Sequence, residues 1–129
     1  MLENLASATA LVRRYGELRP SDAAPNAEFV CDRAKDGEPA ALQAVDEVAR
    51  WLAQAIGIMS NMLNLQAAII GGGLSQAGLL LTDRIAKHVN DFVLHKPGRP
   101  PAIVVAEHGN NAGMIGAGAL ALDAAPQGA

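Results

Sequence analysis

The residues best suited to chemistry are Gly71, Gly72, Gly73, Leu74 and Ser75, which directly follow the apolar run 65–70. We call these five residues the glycine loop. Glycines allow a ligand to approach the backbone because no Cβ stands in the way. Exposed N–H groups and the positive end of a following helix would suit a nucleotide or a phosphate. We therefore predict ligand contact here, and the alternative from the pattern alone is a tight strand-to-helix turn without a ligand.

The glycine loop differs from the two common nucleotide-binding patterns. It has no lysine, so it is not a Walker loop, and its spacing does not give the Gly-x-Gly-x-x-Gly dinucleotide fingerprint. Further along, Gly113, Gly116 and Gly118 lie within a predicted helix. Glycines at this spacing favour close helix packing. The functional alternative is a backbone wall beside the same ligand.

Other reactive residue types form no recognisable constellation. His88, His95 and His108 lack the spacing of metal ligands. Cys31 has no base near it in sequence and is predicted to be buried and inert. Ser75 lies outside the Gly-x-Ser-x-Gly context of a nucleophile elbow. These side chains therefore predict no metal site and no covalent catalysis.

Composition excludes several classes of protein. The 129 residues are 50% hydrophobic and carry a net charge of −3, which argues against a disordered chain and against nucleic acid as a partner. Cys31 is the single cysteine, so a reducing, cytoplasmic location is expected. No apolar run is long enough to cross a membrane, because Asn61, Asn64 and Gln66 interrupt the longest candidates. The first residues do not resemble a signal peptide.

Three helices are predicted ahead of the glycine loop. The first runs from Met1 to near Gly16, and its uncapped start suggests a chain cut from something longer. A loop over 18–26 precedes a second helix over 27–35. The third begins at Pro39 and ends before Asn64. Its apolar stripe, which predicts a core-facing helix rather than a cofactor or partner surface, consists of Leu42, Val45, Ala49, Leu52, Ile56, Met59 and Leu63. Asp46, Glu47 and Arg50 fall off the stripe and are expected to face water.

The second half of the chain alternates strands and helices. We predict a strand over 65–70, a helix over 76–94, a turn over 95–101, a strand over 102–106 and a helix over 111–122. The inner side of the helix over 76–94 is expected to carry Leu80, Leu81, Ile85, Val89 and Phe92. Both strands are apolar without alternation, which indicates buried parallel strands joined by a right-handed crossover. Two parallel strands do not make a stable sheet, so a partner chain or upstream residues should supply more.

Several segments together resemble the C-terminal half of the ROK family, which comprises bacterial glucokinases, related sugar kinases and sugar-responsive repressors. They are Ile-Ile-Gly-Gly-Gly-Leu-Ser at 69–75, Ala-Arg-Trp-Leu at 49–52 and Gly-Asn-Asn-Ala-Gly-Met-Ile-Gly-Ala at 109–117. Leu2-Glu3 and Ala6-Ser7 also resemble the segment that follows the family's Cys-rich zinc motif. Within the family, the resemblance is strongest to ATP-dependent glucokinases.

The resemblance implies an α/β fold: a truncated C-terminal lobe of an actin-like ATPase (ribonuclease H-like) fold, mostly helical with two parallel strands. It implies that Glu3 binds the sugar, glucose, and that the glycine loop, residues Gly71 to Ser75, lies against ATP. It further implies Mg²⁺ with the nucleotide, zinc elsewhere in the parent protein, and a homo-oligomer. Residues 1–123 would form part of the lobe and residues 124–129 a frayed tail.

The departures from the family pattern concern catalysis. The phosphate-binding Asp-x-Gly-Gly-Thr motif, the Glu-x-Gly-His sugar motif, the catalytic Asp and the zinc-binding cysteines are missing from the sequence. Met1 stands where the last of those cysteines would be, so the catalytic residues are expected upstream of Met1. We therefore expect a C-terminal fragment of a hexose kinase that is inactive alone. The alternatives are the sugar-sensing half of a ROK repressor and a remnant that serves only to oligomerise.

Overall fold

The computed structural model describes residues 1–94 and 100–124, which form five α-helices, two β-strands and three short 3₁₀ segments. The helices are α1 (Ala8–Leu18), α2 (Ala27–Lys35), α3 (Pro39–Leu63), α4 (Leu79–Val89) and α5 (Ala112–Ala124). The strands are β1 (Ala67–Ile70) and β2 (Ala102–Val105). The 3₁₀ segments are Leu2–Asn4, Gly72–Ala77 and Gly109–Asn111. None of the described helices is long and apolar enough to cross a membrane.

Helix α1 begins later than the sequence predicted, and the prediction of a helix already running at Met1 is wrong. Met1 is 92% exposed, and its carbonyl accepts a hydrogen bond from the N–H of Asn4 at 3.1 Å in a separate 3₁₀ turn. The helix starts only after Ser7, whose Oγ accepts a hydrogen bond from the N–H of Ala10 at 3.1 Å. This bond satisfies one of the open N–H groups of the first turn, so the helix that does form is capped.

Helices α2 and α3 have the predicted bounds. Asn26 caps α2 by accepting a hydrogen bond from the N–H of Phe29 at 2.9 Å. Pro39 lies in the first turn of α3, where its missing N–H has no intrahelical partner. Asn64 ends the helix in the left-handed conformation with φ 52°.

The apolar stripe of α3 is buried only in part. Val45, Ala49 and Ile56 lie in the core, whereas Met59 and Leu63 are 50% and 63% exposed. The prediction for the polar side is confirmed at the exposed Arg50 and only in part at Asp46 and Glu47, whose side chains are 41% and 37% exposed and form ion pairs with α4 and α1. The described part of the chain leaves the last two turns of the stripe uncovered.

The core lies where α1, α2 and α4 pack on α3. Tyr15 of α1 is fully buried at its centre, and Ile85 of α4 is fully buried as well. The predicted inner side of α4 is confirmed at Leu81, Ile85 and Val89.

The strands pair in parallel, with Ala67 opposite Ala102 and Ile70 opposite Val105. The parallel pairing is confirmed, but the prediction that both strands are buried is wrong. Ile69 and its cross-strand partner Val104 are 70% and 42% exposed. Burial requires a covering layer, and the described residues provide none over this face of the sheet.

The segments after each strand also differ from prediction. The helix predicted from residue 76 begins at Leu79, because residues 72–77 form a 3₁₀ segment and Gly78 turns the chain with φ 56°. The prediction of close packing at the glycines of α5 is also wrong, since a methyl group added to Gly113, Gly116 or Gly118 would lie more than 4 Å from every neighbour among the described residues. Residues 95–99 of the predicted turn and 125–129 of the predicted tail lie outside the described residues.

Candidate ligand site

The carboxyl ends of the two parallel strands bring two loops side by side. The glycine loop follows Ile70 of β1, and residues 106–111 follow Val105 of β2. The N–H of Ala106 donates to the carbonyl of Ile70 at 2.8 Å, which fixes the starts of both loops next to each other. In open α/β sheets, ligands bind outside the carboxyl ends of the strands. The predicted binding loop therefore lies at the edge of the sheet where ligands usually bind.

The three adjacent glycines have different surroundings. A methyl group on Gly73 would lie 2.9 Å from Cβ of Ala8, and one on Gly71 would lie 3.6 Å from Cβ of Ala106. Gly73 therefore allows close packing against Ala8, whereas a methyl group on Gly71 would make an ordinary van der Waals contact. Gly72 is exposed and has φ +70°, and a methyl group on it would meet no other described residue within 4 Å. Of the three, Gly72 offers the most open backbone to a ligand.

The side chains of Leu74 and Ser75 make contacts within the protein. The side chain of Leu74 belongs to the core and is 7% exposed. The hydroxyl of Ser75 donates to the carbonyl of Gly72 at 2.6 Å, and a methyl group on Gly109 would lie 3.3 Å from its Oγ. Leu74 therefore only shapes the loop with its side chain, whereas the Ser75 hydroxyl, whose proton is used within the loop, can still accept a hydrogen bond.

One electrostatic expectation for this loop is wrong. The sequence predicted that the glycine loop leads into a long helix whose positive end faces the ligand. The loop instead opens a six-residue 3₁₀ segment, and α4 begins only at Leu79, after Gly78. The dipole of a long helix therefore does not act at this loop, and ligand contact would depend on backbone shape.

Glu3 lies on the neighbouring 3₁₀ turn Leu2–Asn4 and is exposed. It opens onto a cavity of about 280 Å³ whose other lining residues are Asn4, Ser7, Ala8, Thr9, Ala10 and Arg13. Because Ala8 both lines this cavity and contacts Gly73, the glycine loop borders the segment that carries Glu3. The structure therefore brings the two sets of predicted site residues to one side of the molecule.

Ala8, Ala106 and Gly109 are the contact residues that the sequence reasoning missed. Gly109 stands in the segment that supported the family resemblance, and its φ of +50° explains why glycine is found there. Ala8 and Ala106 give no signal in sequence, because small apolar residues occur throughout the chain.

Two sets of potentially reactive side chains lie away from the glycine loop. Cys31 is fully buried, and burial raises the pKa of its thiol, so the prediction that it is buried is confirmed. His88 contacts Asp46 through Nε2 at 3.1 Å, and Arg84 approaches the same carboxylate oxygen at 3.4 Å. This cluster joins α3 to α4 and is a contact between two helices.

The zinc implied by the resemblance is expected elsewhere in the parent protein and not at these residues. Structural zinc takes four ligands, usually from Cys and His. Within 1–94 and 100–124, no three His, Cys, Asp or Glu side chains lie close enough to hold a metal ion. Mg²⁺ commonly needs one or two carboxylates beside substrate phosphates. Among the residues that line the cavity, Glu3 is the single carboxylate, and it is already expected to bind the sugar.

Comparison with known proteins identifies several relatives. The model of the ROK family matches residues 2–124. A glucokinase from Halalkalibacterium halodurans is 34% identical over 131 residues, which is 92% of this chain and 40% of that protein. The chain spans between 30% and 41% of the length of the curated glucokinases that it matches.

Solved structures show the same relationship. A ROK family glucokinase from Streptomyces griseus, in complex with glucose and AMPPNP, matches with a TM-score of 0.80 and 28% identity over 92% of this chain and 43% of that one. A ROK family transcriptional regulator, a homolog of the E. coli MLC protein, matches with a TM-score of 0.65 and 25% identity over 81% of this chain and 28% of that one.

Proposed function

Because the chain belongs to the ROK family and has the actin-like ATPase fold of its sugar kinases, we propose that it is the C-terminal part of an ATP-dependent glucokinase. Such an enzyme transfers the γ-phosphoryl group of ATP to a hydroxyl of glucose. The observation that carries the proposal is the contact between the glycine loop, at the carboxyl ends of the strands, and the segment that bears Glu3. The chain would then present a surface for the nucleotide next to a residue that binds the sugar.

The glycine loop is proposed to lie against the adenosine side of ATP. Gly72 would provide the closest approach, since its surroundings are open, and Gly71 is exposed beside it. Gly73, Leu74 and Ser75 would hold the loop in shape through the contacts described above. The match to a glucokinase solved with AMPPNP supports a nucleotide as the ligand.

Glu3 is proposed to bind two hydroxyl groups of the hexose. A carboxylate accepts hydrogen bonds from two hydroxyls and discriminates against a sugar that leaves one of its oxygens unpaired. We expect Glu3→Gln to weaken the affinity for glucose about tenfold, because a hydrogen bond to a charged group contributes about 1.5–3 kcal/mol. Isothermal titration with glucose measures this change.

The matched control for Glu3→Gln is Glu28→Gln. Glu28 is an exposed glutamate in the first turn of α2. Its substitution removes the same charge from a surface that the proposal gives no role in binding. Equal glucose affinity in the Glu3 variant and the unsubstituted chain would remove Glu3 from the site.

Phosphoryl transfer itself needs groups that this sequence does not provide. Catalysis of this reaction depends on positioning the phosphates and on a base or orienting residue for the attacking hydroxyl. Neither Asp-x-Gly-Gly-Thr nor Glu-x-Gly-His occurs in the 129 residues, and the proposal places both motifs and the catalytic base upstream of Met1. We therefore expect no ATP-dependent phosphorylation of glucose by this chain alone in a coupled assay. Product formation above the background of a Glu3→Gln preparation would contradict this expectation.

A second candidate is the sugar-sensing part of a ROK repressor, which the match to a ROK transcriptional regulator favours. A sensor needs to bind its sugar but has no need of ATP. Titration with AMPPNP separates the two candidates. Glucose binding without AMPPNP binding would favour the sensor, whereas binding of both ligands supports the kinase.

A further inference from the structure

We propose that Arg13 is a positioning residue that holds Glu3 in place for the sugar, an inference that rests on the proposed function. One Nη of Arg13 donates a hydrogen bond to the carbonyl of Asn4 at 2.7 Å. Asn4 directly follows Glu3, whereas Arg13 lies in the second turn of α1. This hydrogen bond therefore ties the turn that carries Glu3 to the body of the helix.

The turn with Glu3 has few other attachments to α1. Residues 1–5 are all exposed, so packing fixes them less than it fixes the helices. The backbone hydrogen bonds of the turn have both partners within residues 1–6, so they close the turn on itself without attaching it to α1. Among the described residues, Arg13 makes the one side-chain hydrogen bond that reaches this turn. The orientation of Glu3 relative to α1 therefore depends on Arg13.

Arg13 holds the turn from a fixed position. Its backbone belongs to α1, whose Leu11 and Tyr15 are buried in the core. Its Nε lies 3.7 Å from Oε1 of Glu17, one turn later in the same helix. Because a guanidinium carries several N–H donors, it can contact Glu17 and the carbonyl of Asn4 at the same time. The guanidinium is therefore oriented from both ends.

The position of the turn matters for binding because Glu3, Asn4 and Arg13 line the same cavity of about 280 Å³. When a binding residue spends only a fraction of its time in the competent position, the apparent affinity falls by that fraction. A hydrogen bond that fixes this position before the sugar arrives removes part of the ordering cost of binding. Arg13 therefore raises the affinity for glucose, and it acts through Glu3.

The test measures the Kd for glucose by isothermal titration in Arg13→Met and Arg13→Lys. Methionine removes all donors, and we expect the Kd to rise about fivefold, less than for Glu3→Gln because Glu3 itself remains. Lysine keeps the charge and a donor for the carbonyl of Asn4, so its Kd should stay within about twofold of the unsubstituted chain. The side chain of Arg13 is 57% exposed, so urea unfolding should show little loss of stability in either variant.

A double-mutant cycle shows whether Arg13 acts through Glu3. In a chain that already carries Glu3→Gln, Arg13→Met has no carboxylate to position, and the Kd should change less than about twofold. A rise of the same size in both backgrounds would mean that Arg13 contacts the sugar itself, and it would overturn the inference.

Arg14→Met is the matched control, because it removes the neighbouring positive charge from the same helix. Arg14 donates to Glu47 and Glu17, and it is not among the residues that line the cavity with Glu3. We expect its glucose Kd to be unchanged. An equal rise of the Kd in Arg13→Met and Arg14→Met would indicate a general effect of charge and would also overturn the inference.

The same titrations separate the inference from the proposed function. A weaker affinity in Glu3→Gln together with an unchanged Kd in Arg13→Met overturns the inference and leaves the proposed function in place. An unsubstituted chain that binds no glucose, or a Glu3→Gln variant with unchanged affinity, overturns the role of Glu3 in the proposed function and the inference with it.

Discussion

Helices α1 and α2 and the first half of α3 bury or half-bury their large apolar side chains, whereas a second region, made of β1, β2 and α5, leaves Ile69, Val104, Met114 and Leu120 exposed. Tyr15 is fully buried, and its hydroxyl donates a hydrogen bond to Oε1 of Glu38 at 3.1 Å. Its ring packs edge-on against the ring of Phe29, with 6.2 Å between the ring centroids. In the second region, Ile69 is 70% exposed and Leu120 is 71% exposed. Because burial of apolar surface drives folding, we expect the first region to contribute more to the free energy of unfolding than the second. The candidate site lies where the two regions meet.

The largest expected change in the free energy of unfolding comes from truncating a buried side chain in the first region and an exposed one in the second. Tyr15→Ala removes a fully buried ring and one of the partners of Glu38, which keeps its ion pairs with Arg19 and Arg33, so we expect a loss of about 3–5 kcal/mol in the free energy of unfolding. Ile69→Ala truncates a side chain that is already mostly in water and should cost less than about 1 kcal/mol. Urea unfolding followed by circular dichroism measures both. Similar losses in the two variants would show that the regions contribute equally.

The next effect tests how far the close packing of α3 extends. A methyl group on Gly57 would lie 2.5 Å from Cβ of Phe92 and 3.2 Å from its carbonyl oxygen. Asn61 holds the same backbone, because its Nδ2 donates to that carbonyl at 2.9 Å. We expect Gly57→Ala to destabilise the chain by about 1–3 kcal/mol, the usual cost of overpacking.

Gly16→Ala is the matched control for Gly57→Ala, since both glycines lie within helices. Nothing lies within 4 Å of a methyl group on Gly16, so alanine there should stabilise the chain by about 0.5–1 kcal/mol. If close packing reaches as far as Phe92, thermal unfolding should show a lower Tm for Gly57→Ala and a higher Tm for Gly16→Ala. A rise in Tm for both would place the limit of the packed region before residue 57.

The smallest effect concerns the ion pair that joins α1 to α3. Arg14 donates to both carboxylate oxygens of Glu47 at 2.6 and 2.9 Å, and these hydrogen bonds hold the pKa of Glu47 below its usual range. The pair is partly exposed, so Glu47→Gln should cost no more than about 1 kcal/mol at pH 7. Urea unfolding from pH 7 down to pH 3 measures how this cost changes.

The sign of the pH dependence follows from the lowered pKa. Glu47 contributes stability above its unfolded pKa and loses it as the pH falls through the folded pKa. The unfolding curves of the unsubstituted chain and the Glu47→Gln variant should therefore converge in acid. Asp83→Asn serves as the control, since Asp83 is exposed and no ion pair is found for it among the described residues. A difference that persists at pH 3 would mean that the amide introduced by Glu47→Gln disturbs packing rather than charge.

Local signals in the sequence predicted the helices of the first region well. Asn26 caps α2, Pro39 lies in the first turn of α3 and Asn64 ends that helix, and the predicted bounds of both helices agree with these positions. The predicted start of α1 at Met1 was wrong because a short turn precedes the helix, although Ser7 is a suitable cap residue. Bounds set by capping side chains can be predicted from sequence, provided that the cap is recognised.

Burial in the second region could not be predicted in the same way. The apolar composition of β1 and β2 indicated strands correctly, but whether Ile69 is covered depends on which surface packs over it. That is a property of tertiary contacts, and no local pattern encodes it. The same reason explains the exposed glycines of α5, for which close packing was expected.

The candidate site combines a local feature that could be predicted from the sequence with a tertiary contact that could not. The run of glycines after an apolar segment correctly placed a loop at the end of a strand. The separate roles of Gly72 and Gly73 depend on Ala8, which lies more than sixty positions earlier in the chain. Periodicity and spacing do not report a contact at that separation. The position of the loop was predictable, but its contact with Ala8 was not.

The buried thiol of Cys31 can report on opening of the helices that surround it. It is the single cysteine, it is fully buried in α2, and its raised pKa keeps it protonated and unreactive near neutral pH. A colorimetric thiol reagent can modify it only when the helices around it open. The rate of labelling under native conditions therefore counts openings of the packed region, with no introduced probe and no denaturant.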